Sequence, residues 1–171
     1  AYGHWKVSLT NNFIALSTHA YTRWEEFAKR LDRILAAFIQ AYQPAYFSRV
    51  GLRYINAFRR EELELADTPW RELIQPGYLG LMGDDDAQES AFFKNEQSIT
   101  AAMPGGAKCN IKCGPGTLRK MNNQTHQSQE QKVFMLDLDL FMEGNTPMSH
   151  AVPALNVVCL LYTSPSPRDR G

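Results

Sequence analysis

Four charged side chains form the constellation in this sequence whose types and spacing most invite chemistry: Arg49 and Arg53, and Asp137 and Asp139. Arg49 and Arg53 fall in a stretch that reads as extended. They share one strand face about 13 Å apart, at roughly 3.3 Å per residue, with Gly51 between them. Asp137 and Asp139 alternate with Leu136, Leu138 and Leu140, so they also share a face.

Two chemistries fit these residue types. In the first, guanidinium and carboxylate pair across neighbouring strands, and all four residues are scaffold. Charged residues on an inward sheet face usually pair with each other, so this is the expected reading. In the second, the carboxylates hold a divalent metal and the arginines hold phosphate oxygens, as in palm-type nucleotidyl transferases and tunnel-type triphosphatases. Such sites normally recruit a further acid or a lysine, and neither Glu143 nor Lys132 is convincingly placed to supply it. The arginine face would also accept something flat or anionic. Asn56, at the end of the same run, completes a candidate binding set of Arg49, Arg53, Asn56, Asp137 and Asp139.

Other reactive residue types fall short of a motif. Cys109 and Cys113 with His126 lack the second ligand pair of a closed zinc site, and residues four apart on a strand point the same way, so packed free thiols are expected. His4, His19 and His150 stand alone, and no Ser or Cys sits in a nucleophile elbow. Gly105-Gly106 and Gly114-Pro115-Gly116 lack the spacing and the lysine of a phosphate loop and read as turns. No catalytic residue, metal or cofactor is assigned.

Composition narrows the class of partner. The 171 residues are 44% hydrophobic and 21% charged, enough for one domain with a real core. Lys plus Arg and Asp plus Glu each number 18, so charge favours neither a nucleic acid nor an anionic membrane. No run approaches a membrane span of roughly 20 apolar residues. Three cysteines in a chain that is not cysteine-dense fit a reducing compartment, and a cytoplasmic location is expected.

The elements that would position these residues follow from periodicity. Trp5, Val7 and Leu9 alternate with polar residues, and Asn11-Asn12 separates them from Phe13-Ile14-Ala15-Leu16, the pattern of a hairpin with one buried face. Apolar residues at Trp24, Phe27, Leu31, Leu35, Phe38 and Tyr42 recur at the helical period, predicting a long helix from Thr18 to Tyr42, with Ser17 or Thr18 as cap. Glu25 with Lys29 and Glu26 with Arg30 are favourable i,i+4 pairs.

Residues 46–58 read as one strand. A short helix with Pro69 at its first position and Pro76-Gly77 at its end follows, then a solvated acidic loop over 84–89. Residues 90–103 and 107–113 read as strands, 119–132 as a polar loop, and 133–141 as the clearest strand. Pro153 opens a second helix that the natural sequence is expected to leave incomplete.

The segments Phe13-Ile14-Ala15-Leu16-Ser17-Thr18, Tyr21, Trp24, Phe27 and Leu31, Arg49-Val50-Gly51-Leu52-Arg53-Tyr54-Ile55-Asn56 and Leu136-Asp137-Leu138-Asp139 together resemble a sporadically distributed family of uncharacterised prokaryotic proteins. The RVGLRYIN run is the specific part of the likeness, which covers most of residues 5–158. The resemblance implies a longer protein at both ends and brings no activity, cofactor or catalytic residue with it. Cys159 to Asp169 resembles a reading frame of a transposase-type sequencing adapter, so 159–171 is expected to be a non-native tail and 1–158 a single α+β domain. Without the tail the charge balance stays close to neutral.

The expected fold is α+β: an antiparallel curved sheet packed on one long amphipathic helix, truncated at both ends. The expected function is a non-enzymatic binding or interaction module with a protein partner encoded nearby. The alternative is a metal-dependent phosphoryl-transfer or phosphohydrolase-type enzyme built on Asp137 and Asp139 with Arg49 and Arg53.

Overall fold

The computed structural model describes residues 4–121 and 128–163. It is an α+β fold of helices and antiparallel strand pairs. In chain order the main elements are β1 (Trp5–Leu9), β2 (Ile14–Thr18), α1 (Trp24–Tyr42), β3 (Tyr46–Phe58), α2 (Trp70–Leu73), α3 (Pro76–Leu79), β4 (Gln97–Ala102), β5 (Lys108–Met121), β6 (Ser128–Pro147) and α4 (Ala151–Thr163). The chain divides into two compact units, Ala1–Val50 with Glu143–Gly171, and Gly51–Met142.

In the first unit β1 and β2 form the expected hairpin, with Val7 opposite Leu16 and Leu9 opposite Ile14. The Thr10 hydroxyl accepts the backbone N–H groups of Asn12 and Phe13 at 3.1 Å each, closing the turn. The apolar face is less covered than its alternation predicts, because Val7 and Leu9 are about half exposed. Its Trp5 end is the covered end: the Trp5 ring packs on Phe27 at 5.8 Å between centroids, and the Arg30 guanidinium lies 4.5 Å above it.

The first helix begins at Trp24, not after Thr18. The Thr18 hydroxyl accepts the Ala20 N–H at 3.0 Å in a local turn, a use that competes with capping. Arg23 then holds an extended backbone just before the helix. Gln43 ends it in a left-handed conformation, its N–H donating to the Ile39 carbonyl at 2.9 Å. Of the two expected surface pairs, Glu26 with Arg30 closes at 3.2 Å. Phe38 stacks on Phe47 at the start of β3.

The second helix is present as α4, whose thirteen residues run through Cys159 to Thr163. The segment set aside as a tail is therefore helical in its first five residues, and Cys159 is buried. The Trp24 indole N–H donates to the Asn156 side-chain oxygen at 3.1 Å, joining α1 to α4 within this unit.

The larger sheet has the order β3-β6-β5-β4. β3 covers the span its sequence predicts. β4 is only six residues, shorter than the strand expected over 90–103. β5 and β6 are longer than expected: Lys108 pairs with Phe141 and the ladder continues through Arg119 opposite Glu130 to Met121 opposite Ser128. Most of the segment read as a loop over 119–132 is thus strand, apart from residues outside the described set.

Gly114-Pro115-Gly116 is a second correction. These residues lie within β5, opposite Met135, Phe134 and Val133. The partnership of β5 with β4 ends at Cys113 opposite Gln97, so among the described strands this stretch is paired with β6 alone, and such a margin is where a sheet tolerates proline. Gly114 is required there by close approach, because a Cβ would stand 2.1 Å from the Asn95 carbonyl oxygen.

The core of the second unit is Trp70, Leu79, Met82, Cys113 and Phe134, each at most 3% exposed. Trp70 meets Phe134 at 5.5 Å between ring centroids. Pro69 is the N-cap of α2 and not its first helical residue, and Pro76 opens α3 where Pro76-Gly77 was expected only to end a helix. The cap of α2 comes from a distance: the Glu89 carboxylate accepts the Trp70 N–H. That corrects the reading of 84–89 as wholly solvated.

Candidate functional site

Within the second unit, strand alternation puts Asp137, Lys112 and Ser98 in one cross-strand row of the sheet, and Asp139, Asn110 and Thr100 in the next. The Thr100 hydroxyl donates to the Asn110 side-chain oxygen at 2.9 Å. Apolar Leu136, Leu138 and Leu140 take the opposite face, as the alternation predicts.

Arg53 forms a two-pronged bond with Asp137. Its Nε donates to Oδ1 at 2.8 Å and its Nη2 to Oδ2 at 2.5 Å. The Asp137 side chain is 18% exposed and that of Arg53 is 59% exposed, so the acid sits inside and the cation outside. The hydrogen bond to Asp137 raises the affinity of Arg53 for its proton, burial opposes this, and the charges of Asp137 and Asp139 add to it. Two of the five guanidinium N–H donors are engaged in the fork, which leaves three outside it.

The pair borders an open groove of about 420 Å³. Its charged walls are Arg53, Lys94, Lys112, Glu96 and Asp137, three cations against two carboxylates. Ile55, Pro115 and Met135 supply its apolar surface. Lys94 bonds Glu96 at 3.0 Å; that hydrogen bond first, its charge next and Lys112 more weakly hold the Glu96 carboxyl below the usual carboxylate value. The wall that carries Lys94 and Glu96 is fixed at Asn95, whose Nδ2 donates to the Leu79 carbonyl at 2.7 Å while its Oδ1 accepts from the Gln97 Nε2 at 2.9 Å. The absence of a side chain at Gly114 lets this wall press against β5.

Of the five residues picked from sequence, the groove takes Arg53 and Asp137. Asn56 is partly buried on β3 and alternates to the face opposite Ile55. Asp139 shares the Asp137 face one row further along, opposite Asn110. Arg49 belongs to the first unit and Asp139 to the second. Sequence reasoning missed Lys94, Glu96 and Lys112. Lys112 was recoverable in principle, since correct pairing of 108–121 with 128–141 sets it opposite Asp137.

Both oxygens of Asp137 are engaged by Arg53, and the described residues include no group of three or more His, Cys, Asp or Glu able to hold an ion. Cys109 and Cys113 are buried free thiols. Burial pushes both thiols above their usual value, with the charge of Asp139 adding at Cys109. Cys113 Sγ lies 3.4 Å from the Tyr78 carbonyl, to which it donates. His126 lies outside the described residues. No helix among the described residues is long and apolar enough to cross a membrane.

A second shallow cavity of about 310 Å³ is lined in part by Arg59, Glu62 and Arg119. Arg59 is paired with Glu62 at 3.1 Å and Arg119 with Glu130 at 2.8 Å. No family model, curated protein or solved structure matches the chain.

Proposed function

We propose that the chain is a non-enzymatic binding module of the cytoplasm, and that its binding surface is the groove beside Arg53 and Asp137. The observation that supports this reading most is the fork itself. A carboxylate with both oxygens bonded to a guanidinium is a poor metal ligand and a poor base, but it is a good support for an arginine that must stay in place. Arg53 keeps three donors for a partner, and Asp137 removes the freedom that would otherwise oppose binding.

The test separates binding from metal-dependent phosphoryl transfer. Magnesium alone leaves the melting temperature of the chain unchanged, and magnesium with a nucleoside triphosphate releases no phosphate above the buffer rate. A protein from a neighbouring gene, co-expressed with the chain, is retained by the wild type and lost with Arg53→Glu. Magnesium-dependent phosphate release that vanishes with Asp137→Asn would replace this reading with the enzymatic one.

A further inference from the structure

The composition of the groove points to a class of ligand, an inference that rests on the reading of the groove as a binding surface. From the three cations, the two carboxylates and the apolar residues at its walls, we infer that the groove takes a small molecule with one phosphate or carboxylate group and an apolar, ring-sized body. Its volume of about 420 Å³ suits such a ligand.

The charge arrangement decides where the anionic group sits. Arg53 is matched by Asp137 and Lys94 by Glu96, at 2.8 Å and 3.0 Å. Lys112 stands between these pairs: it is opposite Asp137 in the β5 to β6 register, and its charge is felt at Glu96. It is the cation by which the groove exceeds its acids. An anion at Lys112 would also be within the field of the Arg53 guanidinium on the same groove wall, so the excess charge and the pre-oriented fork act together.

The apolar body has surfaces to meet. Ile55 is 57% exposed although it is a β-branched residue on a sheet, and it lines the groove with Pro115 and Met135. Phe93, immediately before Lys94, is fully exposed. A large apolar residue left in water next to a charged binding wall gains from any ring that covers it. Purely inorganic anions would use the cations and leave this surface unused.

The experiment is a titration of the isotopically labelled full chain with phenyl phosphate, inorganic phosphate and benzyl alcohol, followed by amide and side-chain NMR shifts. Phenyl phosphate is expected to move the signals of Lys112, Ile55 and Lys94 together, to bind at least fivefold more tightly than inorganic phosphate, and to outbind benzyl alcohol by a similar factor. Lys112→Gln, a change at an exposed position, is expected to weaken phenyl phosphate at least fivefold without changing the melting temperature. Lys94→Gln serves as a second variant and is expected to weaken it less. Phenyl phosphate that moves none of these signals, or binds Lys112→Gln as well as wild type, overturns the inference. If the co-expressed protein is still captured through Arg53 while phenyl phosphate fails, the anion subsite is refuted and the binding module stands.

Discussion

The second unit contains two arginine–carboxylate pairs of the same chemistry and opposite consequence. Arg60 and Glu89 meet at 3.1 Å with side-chain exposures of 13% and 29%. Arg60 also donates to the Thr68 carbonyl at 2.7 Å and lies 4.2 Å above the Trp70 ring, while Glu89 caps the helix that begins at Trp70. Every partner in that cluster is structural, and it ties the 60–89 region to the core. Arg53 and Asp137 bond as closely, yet the guanidinium is in solvent and borders a groove. On the proposed reading, what separates scaffold from site is which end of the pair is exposed and what lies beyond it.

The largest way to sharpen this contrast is at Glu89. Glu89→Ala removes a helix cap and leaves Arg60 partly buried without its carboxylate, so a loss of about 3 kcal/mol is expected in urea unfolding. Gly114→Ala comes next. Its Cβ collides with the backbone at Asn95, and about 2 kcal/mol is expected to be lost together with the groove wall, detected as weaker phenyl phosphate binding.

Arg53→Ala is expected to cost about 1 kcal/mol or less, because its exposed end is screened by solvent, and the cost should shrink as salt is added. A double-mutant cycle of Arg53 with Asp137 that returned several kcal/mol would erase the distinction between the two pairs. A cycle of Arg60 with Glu89 should give the larger coupling.

Two smaller effects depend on pH. Cys109 and Cys113 are held above the ordinary thiol value of 9.0, so their contribution to stability is intact below that value and is lost as pH rises through their folded values. Alkylation by iodoacetamide at pH 8 is accordingly expected to be slow in the native chain and fast in urea. Glu26 behaves in the opposite sense. The hydrogen bond from Arg30, then that from Thr22, lowers its carboxyl below 4.5, so its small contribution holds above that value and fades as pH falls through the folded value. Comparing acid unfolding of Glu26→Gln with wild type checks it, and this is the smallest change in the series.

What the sequence made legible was local. The residues of β3 show their alternation within thirteen positions, and the stripe from Trp24 to Tyr42 shows its period within the helix itself. The pairing of Arg53 with Asp137 was also readable, because both residues sit in strands whose faces could be assigned. Errors came where a distant partner overrode local preference. Gly114-Pro115-Gly116 has turn composition, but β6 holds it extended. Arg119 to Lys132 is polar on both faces, so no period betrays the ladder in which Arg119 meets Glu130. Glu89 looked like one more acid in a solvated run, and its cap on Trp70 is nineteen residues away. The groove lysines were hidden for the same reason, since register alone brings Lys112 to Asp137.

The glycine-proline-glycine stretch has one more consequence. Beyond Cys113, β5 runs without β4 beside it, and such a margin would ordinarily recruit another extended chain, including a second molecule's. Pro115 has no amide hydrogen to offer such a guest, and its flanking glycines offer no side chains to grip. The stretch that makes room at Gly114 for the Asn95 wall is thus also a poor template for a further strand.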